Sequence, residues 1–305
     1  MEKIIDLFDL HCDTLGVLYR KNSKETKARL QLDIARCSTV FREYSQVFAV
    51  YSPDSLSPSE AWENFIHTRD QILHRKFPEN VTPYLAVEGG KLLDGKPERL
   101  EILKSSGVSI LTLVWGGLCC VGGAHDTDTG LTDFGRRTLC FCLENDIVPD
   151  VSHASDKMFW ETADICGKYR KPFIASHSCS RAVRNHSRNL TDEMFAAVAD
   201  SGGIIGVSLT PAHLCAAASA GISDVVRHIR HYLSLGYGNA IALGCDYDGI
   251  DNPPAGLEHP EKLSALGDYL ISDGIDKAVV NNIFYNNAKA FFEKNNIKSI
   301  TKLNR

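Results

Sequence analysis

The sequence lacks the features that mark several large classes of protein. It has no long block of like charge, no low-complexity segment and no repeat of fixed period. Its 33 basic and 38 acidic residues give a formal net charge of −5, so the basic footprint of a nucleic-acid-binding protein is missing. Apolar residues make up 44% and charged residues 23%, close to globular averages, which excludes disordered, collagen-like and coiled-coil chains.

Signals for export and for membrane insertion are also missing. The apolar N-terminal residues are interrupted by Asp6 and Asp9 and show no small-residue cleavage site. Residues 201–223 carry no charged side chain. This length is comparable to the roughly 20 residues that span a bilayer. Their glycines, proline and histidine predict a buried strand and a loop instead. We therefore expect a cytoplasmic protein that does not contact membranes, with its ten cysteines as reduced thiols.

What the sequence does contain is an alternation of short apolar runs and longer amphipathic stretches. No linker divides the 305 residues, and no GxGxxG motif follows an early run, which disfavours a dinucleotide-binding sheet. The eight runs that we predict to be strands are Ile4 to Leu10, Gln46 to Tyr51, Pro83 to Val87, Val108 to Val114, Ile147 to Val151, Pro172 to Ala175, Gly203 to Leu209 and Ala240 to Cys245. The predicted helices include Ser59 to Arg75, Leu131 to Asn145, Ser155 to Tyr169, Thr191 to Ser201 and Ile222 to Leu235.

Continuous rather than alternating apolar runs favour a parallel sheet that is covered on both faces. Thr132, Ser155 and Thr191 stand where N-cap residues are expected and support three of the helices. Although the length also allows two modest domains, we predict an α/β fold with one domain over residues 1–305. This domain is a closed (β/α)8 TIM barrel with a C-terminal helical extension from about residue 272 onward.

Side chains that can bind metals stand at the ends of five of these runs. They are His11 and Asp13 after the first run, Glu88 after the third, His153 after the fifth, His177 after the sixth and Asp246 after the eighth. In a (β/α)8 barrel the carboxyl ends of the strands meet at one mouth, where such enzymes keep their chemistry. We therefore expect these six side chains to converge.

This mixture of imidazole and carboxylate groups suits zinc. His11 and Asp13 are two residues apart on a strand, so both side chains leave on the same side and can bind one ion. His153 and His177 then serve a second ion, and Glu88, with two oxygens, bridges the two. Taken singly, each motif has an ordinary structural explanation, as a satisfied histidine or a loop carboxylate. Their combination favours two zinc ions per chain.

Two aspartates share the last motif, CDYDG. Asp-Gly at positions 248 and 249 is typical of a turn, so we assign Asp248 to the turn. Asp246 stands directly after the predicted strand, and we interpret it as the group that moves a proton.

The motifs together resemble the membrane (renal) dipeptidase family, zinc metallopeptidases of the amidohydrolase superfamily. In chain order they are DLHCDTL, AVEGG, LTDFGRR, DVSHASD, SHSCSRAVRNHSRNLTDEM and LGCDYDG, and they span about residues 5–250. The resemblance implies one zinc held by His11, Asp13 and Glu88 and the other by Glu88, His153 and His177. It also implies that Asp246 is the catalytic aspartate and that Arg188 contacts the substrate near the scissile carbonyl.

The chain departs from the animal members of that family at two places. Trp115 stands where they carry a substrate-contacting histidine. In this respect the chain resembles bacterial-type members of the family. Ser208 and Leu209, followed by His213, replace an Asn-aromatic segment. We expect Trp115 and His213 to contact substrate and to alter specificity, in a member without the secretion signal and lipid anchor of the animal enzymes.

We predict a binuclear zinc dipeptidase in which hydroxide held between the ions attacks the peptide carbonyl, and which includes dipeptides with a C-terminal D-residue among its substrates. One alternative is another amidohydrolase, acting on N-acyl amino acids, lactones or phosphoesters. Relatives that bridge their metals with a modified lysine would need a lysine near Trp115, and none is there. A catalytically silent barrel that binds a ligand is the alternative from another class. The expected partner is a small dipeptide, and a homodimer is left open.

Two cysteine pairs could be mistaken for metal sites. Cys119 with Cys120, and Cys140 with Cys142, lack CxxC spacing and a matching histidine. We interpret both pairs as packing residues.

Overall fold

The fold is built on one parallel sheet. The computed structural model describes residues 6–19, 30–217 and 219–302. Within them the strands are β1 (Leu7–Cys12), β2 (Tyr44–Tyr51), β3 (Val81–Glu88), β4 (Val108–Thr112), β5 (Val148–Asp150), β6 (Ile205–Val207) and β7 (Ile241–Leu243). The strand order is β5-β4-β3-β2-β1-β7-β6, and every neighbouring pair is parallel.

The strands are buried on both faces, as their continuous apolar runs predict. All six residues of β1 and all five residues of β4 are buried. One cluster of buried side chains gathers residues from six of the seven strands and from Ile174. A flat sheet could not bring its two edges to one cluster, so the sheet is curled around its own core.

The predicted sixth strand, 172–175, does not form a strand of its own. Ile174 makes a single parallel bridge to Asp150 at the end of β5, and Ala175 makes one to Ile205 of β6. The chain leaves its extended path directly afterwards, where a Cβ at Gly206 or Gly244 would collide with the carbonyl oxygen of Ser176. The structure thus has a curled parallel sheet of seven strands, with two isolated bridges between its edges in place of an eighth strand.

Helices cover the outside of this sheet. Those of the described residues are α1 (Thr14–Leu18), α2 (Ile34–Val40), α3 (Pro58–Leu73), α4 (Pro97–Ser105), α5 (Asp133–Glu144), α6 (Asp156–Tyr169), α7 (Asp192–Asp200), α8 (Pro211–Leu214), α9 (Ile222–Ser234), α10 (Leu263–Ser272), α11 (Lys277–Asn281) and α12 (Asn287–Lys294). The predicted caps are confirmed, because the side chains of Thr132, Ser155 and Thr191 each accept a hydrogen bond from a backbone N–H in the first turn. Within the described ranges, no helix has both the length and the apolar character to cross a bilayer.

Further helices follow at the C-terminal end of the chain. Helix α10 ends at Ser272, close to where the extension is predicted to begin, and a π-helical turn, Asn282–Asn286, joins α11 to α12. Phe292 of α12 packs against Phe8 of β1 with ring centroids 4.5 Å apart. Because Phe8 lies near the amino end of its strand, these helices close the amino end of the sheet and leave the carboxyl end for other residues.

Candidate metal centre and substrate cavity

The six side chains predicted at the strand ends converge at the carboxyl end of the sheet. His11 lies in β1, Glu88 is the last residue of β3, and His153 and Asp246 follow β5 and β7 by three residues. His11, Asp13, Glu88 and His177 are all buried. Five different segments of the chain therefore bring the expected ligands to one place.

Glu88 is at the centre of this cluster. Its Oε1 atom lies 3.1 Å from Nε2 of His153, 3.4 Å from Nε2 of His177 and 3.6 Å from Nε2 of His11. Nε2 of His11 also lies 3.8 Å from Oδ1 of Asp246.

Two triads of potential ligands overlap at His11. His11, Glu88 and His177 form one, and His11, Asp13 and Asp246 form the other, with ligand atoms within 4.8 Å of one another in each. The Nε2 atom of His11 lies 3.9 Å from Oδ1 of Asp13, about the same distance as from Asp246. The geometry collects all the predicted ligands, and their division between two ions stays a prediction.

Several ligand atoms in this cluster lack ordinary partners. Among the described residues, His11 Nε2, Asp13 Oδ1 and Glu88 Oε2 are buried and have no hydrogen-bond partner. A buried polar atom left without a partner costs about 1–3 kcal/mol. Divalent cations would satisfy all three atoms, so the residues present fit a metal.

The charge balance also favours a cation. Burial lowers the pKa of His11. The negative charges of Glu88, Asp13 and Asp246 outweigh this effect and raise the pKa to about 10. Burial and the neighbouring Glu88 raise the pKa of Asp13 well above its usual range. Buried carboxylates that repel one another lose much of this repulsion when a divalent ion lies between them.

The other two histidines are held as neutral imidazoles, the form that binds metals. Burial, followed by the positive charge of Arg188, lowers the pKa of His153 to about 4. Burial, followed by the charge of His11, lowers the pKa of His177 well below its usual value.

Each of these two rings is oriented through its Nδ1 atom. His153 Nδ1 lies 2.9 Å from the carbonyl oxygen of Trp115, and His177 Nδ1 lies 2.8 Å from Oγ of Ser176. Fixing the second nitrogen of a ligating histidine sets its tautomer and ring orientation. In both rings this leaves Nε2 directed at Glu88.

Asp150, which the sequence interpretation missed, holds Ser176 in place and thereby supports the ring of His177. Its fully buried carboxylate accepts hydrogen bonds from Oγ and N of Ser176 at 2.6 and 2.9 Å. It also accepts bonds from Thr112 Oγ1 at 2.6 Å and from the backbone N of Ser152 at 2.9 Å. A charged residue within the DVSH motif at the end of a buried strand was the available signal.

The backbone at the cluster is unusual. His153 and Asp246 have φ angles of 73° and 64°, in the left-handed region that non-glycine residues rarely adopt. Gly249 is tightly packed beside them, because a Cβ there would collide with the carboxylates of Asp246 and Asp13. Sequence reasoning recognised Gly249 only as a turn residue and missed this constraint.

Asp248 has the structural role predicted for it. Its Oδ2 accepts a hydrogen bond from Thr14 Oγ1 at 2.6 Å, and its Oδ1 accepts one from the backbone N of Gln31 at 2.7 Å. The carboxylate thus ties the turn after β7 to the segment that precedes α2.

A cavity of about 440 Å³ opens over the cluster. Ten of its lining residues are Asp13, Tyr51, Glu88, Trp115, His125, His153, His186, Arg188, His213 and Asp246. All three predicted substrate contacts, Trp115, Arg188 and His213, are therefore in its wall. Sequence reasoning missed Tyr51 and His186.

Arg188 and His213 present polar groups that no described residue satisfies. Arg188 is 5% exposed and His213 8% exposed, yet Arg188 Nη2 and His213 Nδ1 have no hydrogen-bond partner in the described ranges. The Trp115 ring lies 5.0 Å from Tyr51 and 5.8 Å from His153, measured between centroids. The cavity therefore offers a cation and an aromatic wall to a small polar ligand.

The chain is similar to a family of known proteins. The family model of the membrane dipeptidases, peptidase family M19, matches residues 63–303. An uncharacterised protein in the pqqA 5′ region of Klebsiella pneumoniae is 30% identical over 213 residues, 66% of this chain and 77% of its own. Mouse dipeptidase 3 is 28% identical over 220 residues, which are 69% of this chain and only 44% of the mouse protein.

A solved structure shares the fold over nearly the whole chain. It is a metallopeptidase from Rhodobacter sphaeroides, liganded with a phosphinate mimic of the dipeptide L-Ala-D-Ala. Its TM-score is 0.86 at 23% sequence identity, and the match covers 95% of this chain and 99% of that one.

Proposed function

Because the chain belongs to the membrane dipeptidase family of metallopeptidases, peptidase family M19, and is a hydrolase, we propose that it cleaves dipeptides with two zinc ions per chain. The observation that carries this proposal is the cluster centred on Glu88, where three buried ligand atoms lack other partners among the described residues, beneath a cavity of about 440 Å³. We assign His11 and Asp13 to one ion, His153 and His177 to the other, and Glu88 to both. Bound zinc lowers the pKa of water and polarises a carbonyl.

Asp246 is the proposed proton carrier. Its Oδ1 atom lies 3.8 Å from His11 Nε2, and its Oδ2 accepts a hydrogen bond from Thr210 Oγ1 at 3.0 Å. This bond holds the carboxylate at the border between the cluster and the cavity. From there it can take a proton from the attacking water and deliver it to the departing amine.

Arg188 is the proposed contact for the substrate. Its buried guanidinium faces the negative charges of Glu88 and Asp246 across the cavity. A guanidinium donates two parallel hydrogen bonds to a carboxylate, or stabilises an oxyanion on the reacting carbonyl. Trp115 and His213 complete the wall and are proposed to determine which side chains fit.

The size of the cavity supports a small substrate. Ligand cavities commonly measure about 300–1,000 Å³, and 440 Å³ lies near the lower end. The Rhodobacter sphaeroides structure holds a mimic of L-Ala-D-Ala, so we include dipeptides with a C-terminal D-residue among the candidate substrates. N-acyl amino acids and lactones are the alternative substrates, and a silent binding protein is the alternative outside catalysis.

We propose that the whole chain folds as the sequence predicts, as a (β/α)8 barrel with a C-terminal helical extension. Residues 172–175 take the place of the eighth strand, and residues 1–305 form one domain. A cytoplasmic location without membrane contact is part of this proposal, and a homodimer is left open.

The direct test is a screen of L,L and L,D dipeptides together with elemental analysis of the same preparation. We expect turnover of at least one class and a zinc content that approaches two per chain. Full activity at one metal per chain under metal-replete conditions would contradict the binuclear assignment. Absence of turnover on dipeptides, with turnover of an N-acyl amino acid or a lactone, would favour the alternative substrates.

The role of Arg188 is tested by comparing a dipeptide with its C-terminal amide. If Arg188 binds the carboxylate, Arg188→Lys lowers kcat/KM for the free acid, a loss of about 1–3 kcal/mol of transition-state stabilisation. It also reduces the difference in kcat/KM between the free acid and the amide. A loss of kcat that is equal for both substrates would place Arg188 at the oxyanion instead. Arg184→Lys is the matched control, because Arg184 lies in the same loop and is not among the lining residues of the cavity.

A further inference from the structure

Two consecutive cysteines lie at the tip of a hairpin that borders the catalytic cavity. The hairpin, residues 115–125, is closed by the bond from Ala124 N to Gly117 O at 2.8 Å and by the bond from Cys119 N to Gly122 O at 3.0 Å. Cys119 and Cys120 follow one another at its tip, both half-buried and unpaired. The proposed hydrolysis uses neither thiol, and the sequence interpretation treated them as packing residues.

The two thiols are not equivalent. Cys119 Sγ accepts a hydrogen bond from Val121 N at 3.4 Å, whereas Cys120 Sγ donates one to Gly90 O at 3.4 Å. The adjacent Cys120 thiol, followed by the backbone N–H groups of Val121 and Gly122 and the Lys91 ammonium, lowers the pKa of Cys119 to about 7 against the effect of burial. The pKa of Cys120 is raised in turn. Cys119 is therefore the nucleophile of the pair and Cys120 the thiol that follows.

Cys119 is reachable by small molecules. It lines a side cavity of about 240 Å³ together with Lys91 and Leu118. The side cavity shares Glu88 and Trp115 with the cavity over the metal cluster. A small soluble reagent that enters this side cavity can therefore contact Cys119.

We infer that Cys119 and Cys120 form a reactive dithiol, a modification site that small soluble disulfides oxidise to a disulfide between the two neighbouring residues. The Cys119 thiolate attacks one sulfur of the small disulfide, RSSR, and forms a mixed disulfide while the first RS⁻ leaves. Cys120 then gives up its proton and attacks the Cys119 sulfur, expelling the second RS⁻. Two protein thiols lose two hydrogens, and RSSR becomes two RSH.

The hairpin connects this dithiol to the proposed metal centre. At its base, the Trp115 carbonyl lies 2.9 Å from Nδ1 of His153, and the His125 N–H donates to the His153 carbonyl at 2.7 Å. Both ends of the hairpin are thus bonded to one proposed ligand. A new covalent bond at the tip is expected to shift these contacts and to reduce activity, a consequence that rests on the proposed function.

The test of the dithiol is peptide mapping of the zinc-loaded, full-length protein. The protein is incubated with glutathione disulfide, its free thiols are alkylated, and the masses of its proteolytic peptides are measured by mass spectrometry. We expect the peptide with Cys119 and Cys120 to lose two hydrogens and to resist alkylation, while Cys140, also half-buried, is alkylated as before. Equal modification of Cys140, or a mixed disulfide that persists on Cys119, would overturn the inference. In Cys120→Ser the reaction should stop at that mixed disulfide.

The link to His153 is tested by activity. Oxidation should lower dipeptide turnover in the wild type and in the control Cys140→Ser, and a reducing thiol should restore it. Cys119→Ser should keep its turnover under the same treatment. Complete oxidation without a change in turnover would contradict the link. Because the mapping needs no turnover, failure of the dithiol and failure of the proposed function are distinguishable.

Discussion

The two ends of the curled sheet carry different kinds of side chains on the same strands. At the amino end, Phe8 packs against Phe292 and Tyr84 in an aromatic cluster, with ring centroids 4.5 Å and 5.5 Å apart. Three residues further along β1, His11 stands among carboxylates and leaves Nε2 without a hydrogen-bond partner among the described residues. The amino end contributes stability, whereas the carboxyl end keeps groups that only a ligand can satisfy.

Two residues at the carboxyl end also have backbone conformations that are unfavourable for non-glycine residues. They are His153 and Asp246, two of the seven described non-glycine residues with left-handed φ angles. Such conformations cost about 1–3 kcal/mol each and persist where the surrounding structure enforces them. Asp150 and Asp248, with their buried hydrogen bonds, provide that enforcement at the carboxyl end.

The largest effect on the carboxyl end is expected from Glu88→Gln. It removes the charge that all three histidines approach, so we expect the loss of bound metal and of measurable turnover. Elemental analysis and a dipeptide assay on the same sample measure both. A variant that retains two metals and full activity would show that Glu88 does not bridge.

The largest effect on the amino end is expected from Phe292→Ala. Truncating a buried phenylalanine costs about 3–5 kcal/mol of stability, measurable by urea unfolding. Metal content and kcat of the folded variant should be unchanged, since the cavity lies at the other end. A loss of metal in the folded variant would show that the two ends are coupled.

Asp246→Asn separates catalysis from metal binding. We expect both metals to remain and kcat to fall by at least about two decades, the lower range for a positioned acid–base group. Asp248→Asn, two residues away, is the matched control. It should weaken the bonds to Thr14 and Gln31 and lower the free energy of unfolding while keeping most of kcat.

Gly249→Ala tests how tightly the carboxylates are packed. Its Cβ must displace Asp246 and Asp13, so we expect metal binding to weaken by about 1–3 kcal/mol, the usual cost of overpacking. Gly16→Ala is the control, because no atom lies within 4 Å of its added Cβ. Chelator competition measures both, and equal affinities in the two variants would contradict the packing argument.

The smallest effect is expected from Ser176→Ala. This change removes the hydroxyl between Asp150 and His177, and loss of such an orienting partner typically costs about 10–100-fold in metal affinity or activity. Ser109→Ala removes a comparably buried hydroxyl, bonded to Leu85 O at 3.0 Å, and should leave metal affinity unchanged. Indistinguishable chelator competition in the two variants would mean that Ser176 does not orient His177.

Much of this fold and site follows from local patterns. Continuous apolar runs predict buried parallel strands, and the polar residues at their ends predict where His11, Glu88 and Asp246 meet. The helix starts at Thr132 and Ser155 follow from side chains that bond their own first turn.

The sequence by itself determined which residue types stand at the strand ends, and hence the predicted ligand set, because side-chain period and strand polarity are local properties. Only the tertiary structure decided that Asp150 supports His177 through Ser176, and that Gly249 lies against two carboxylates. It also decided that the segment 172–175 makes single bridges to β5 and β6 rather than a full strand. These features depend on atoms that are distant in sequence and meet through packing, which no local period encodes.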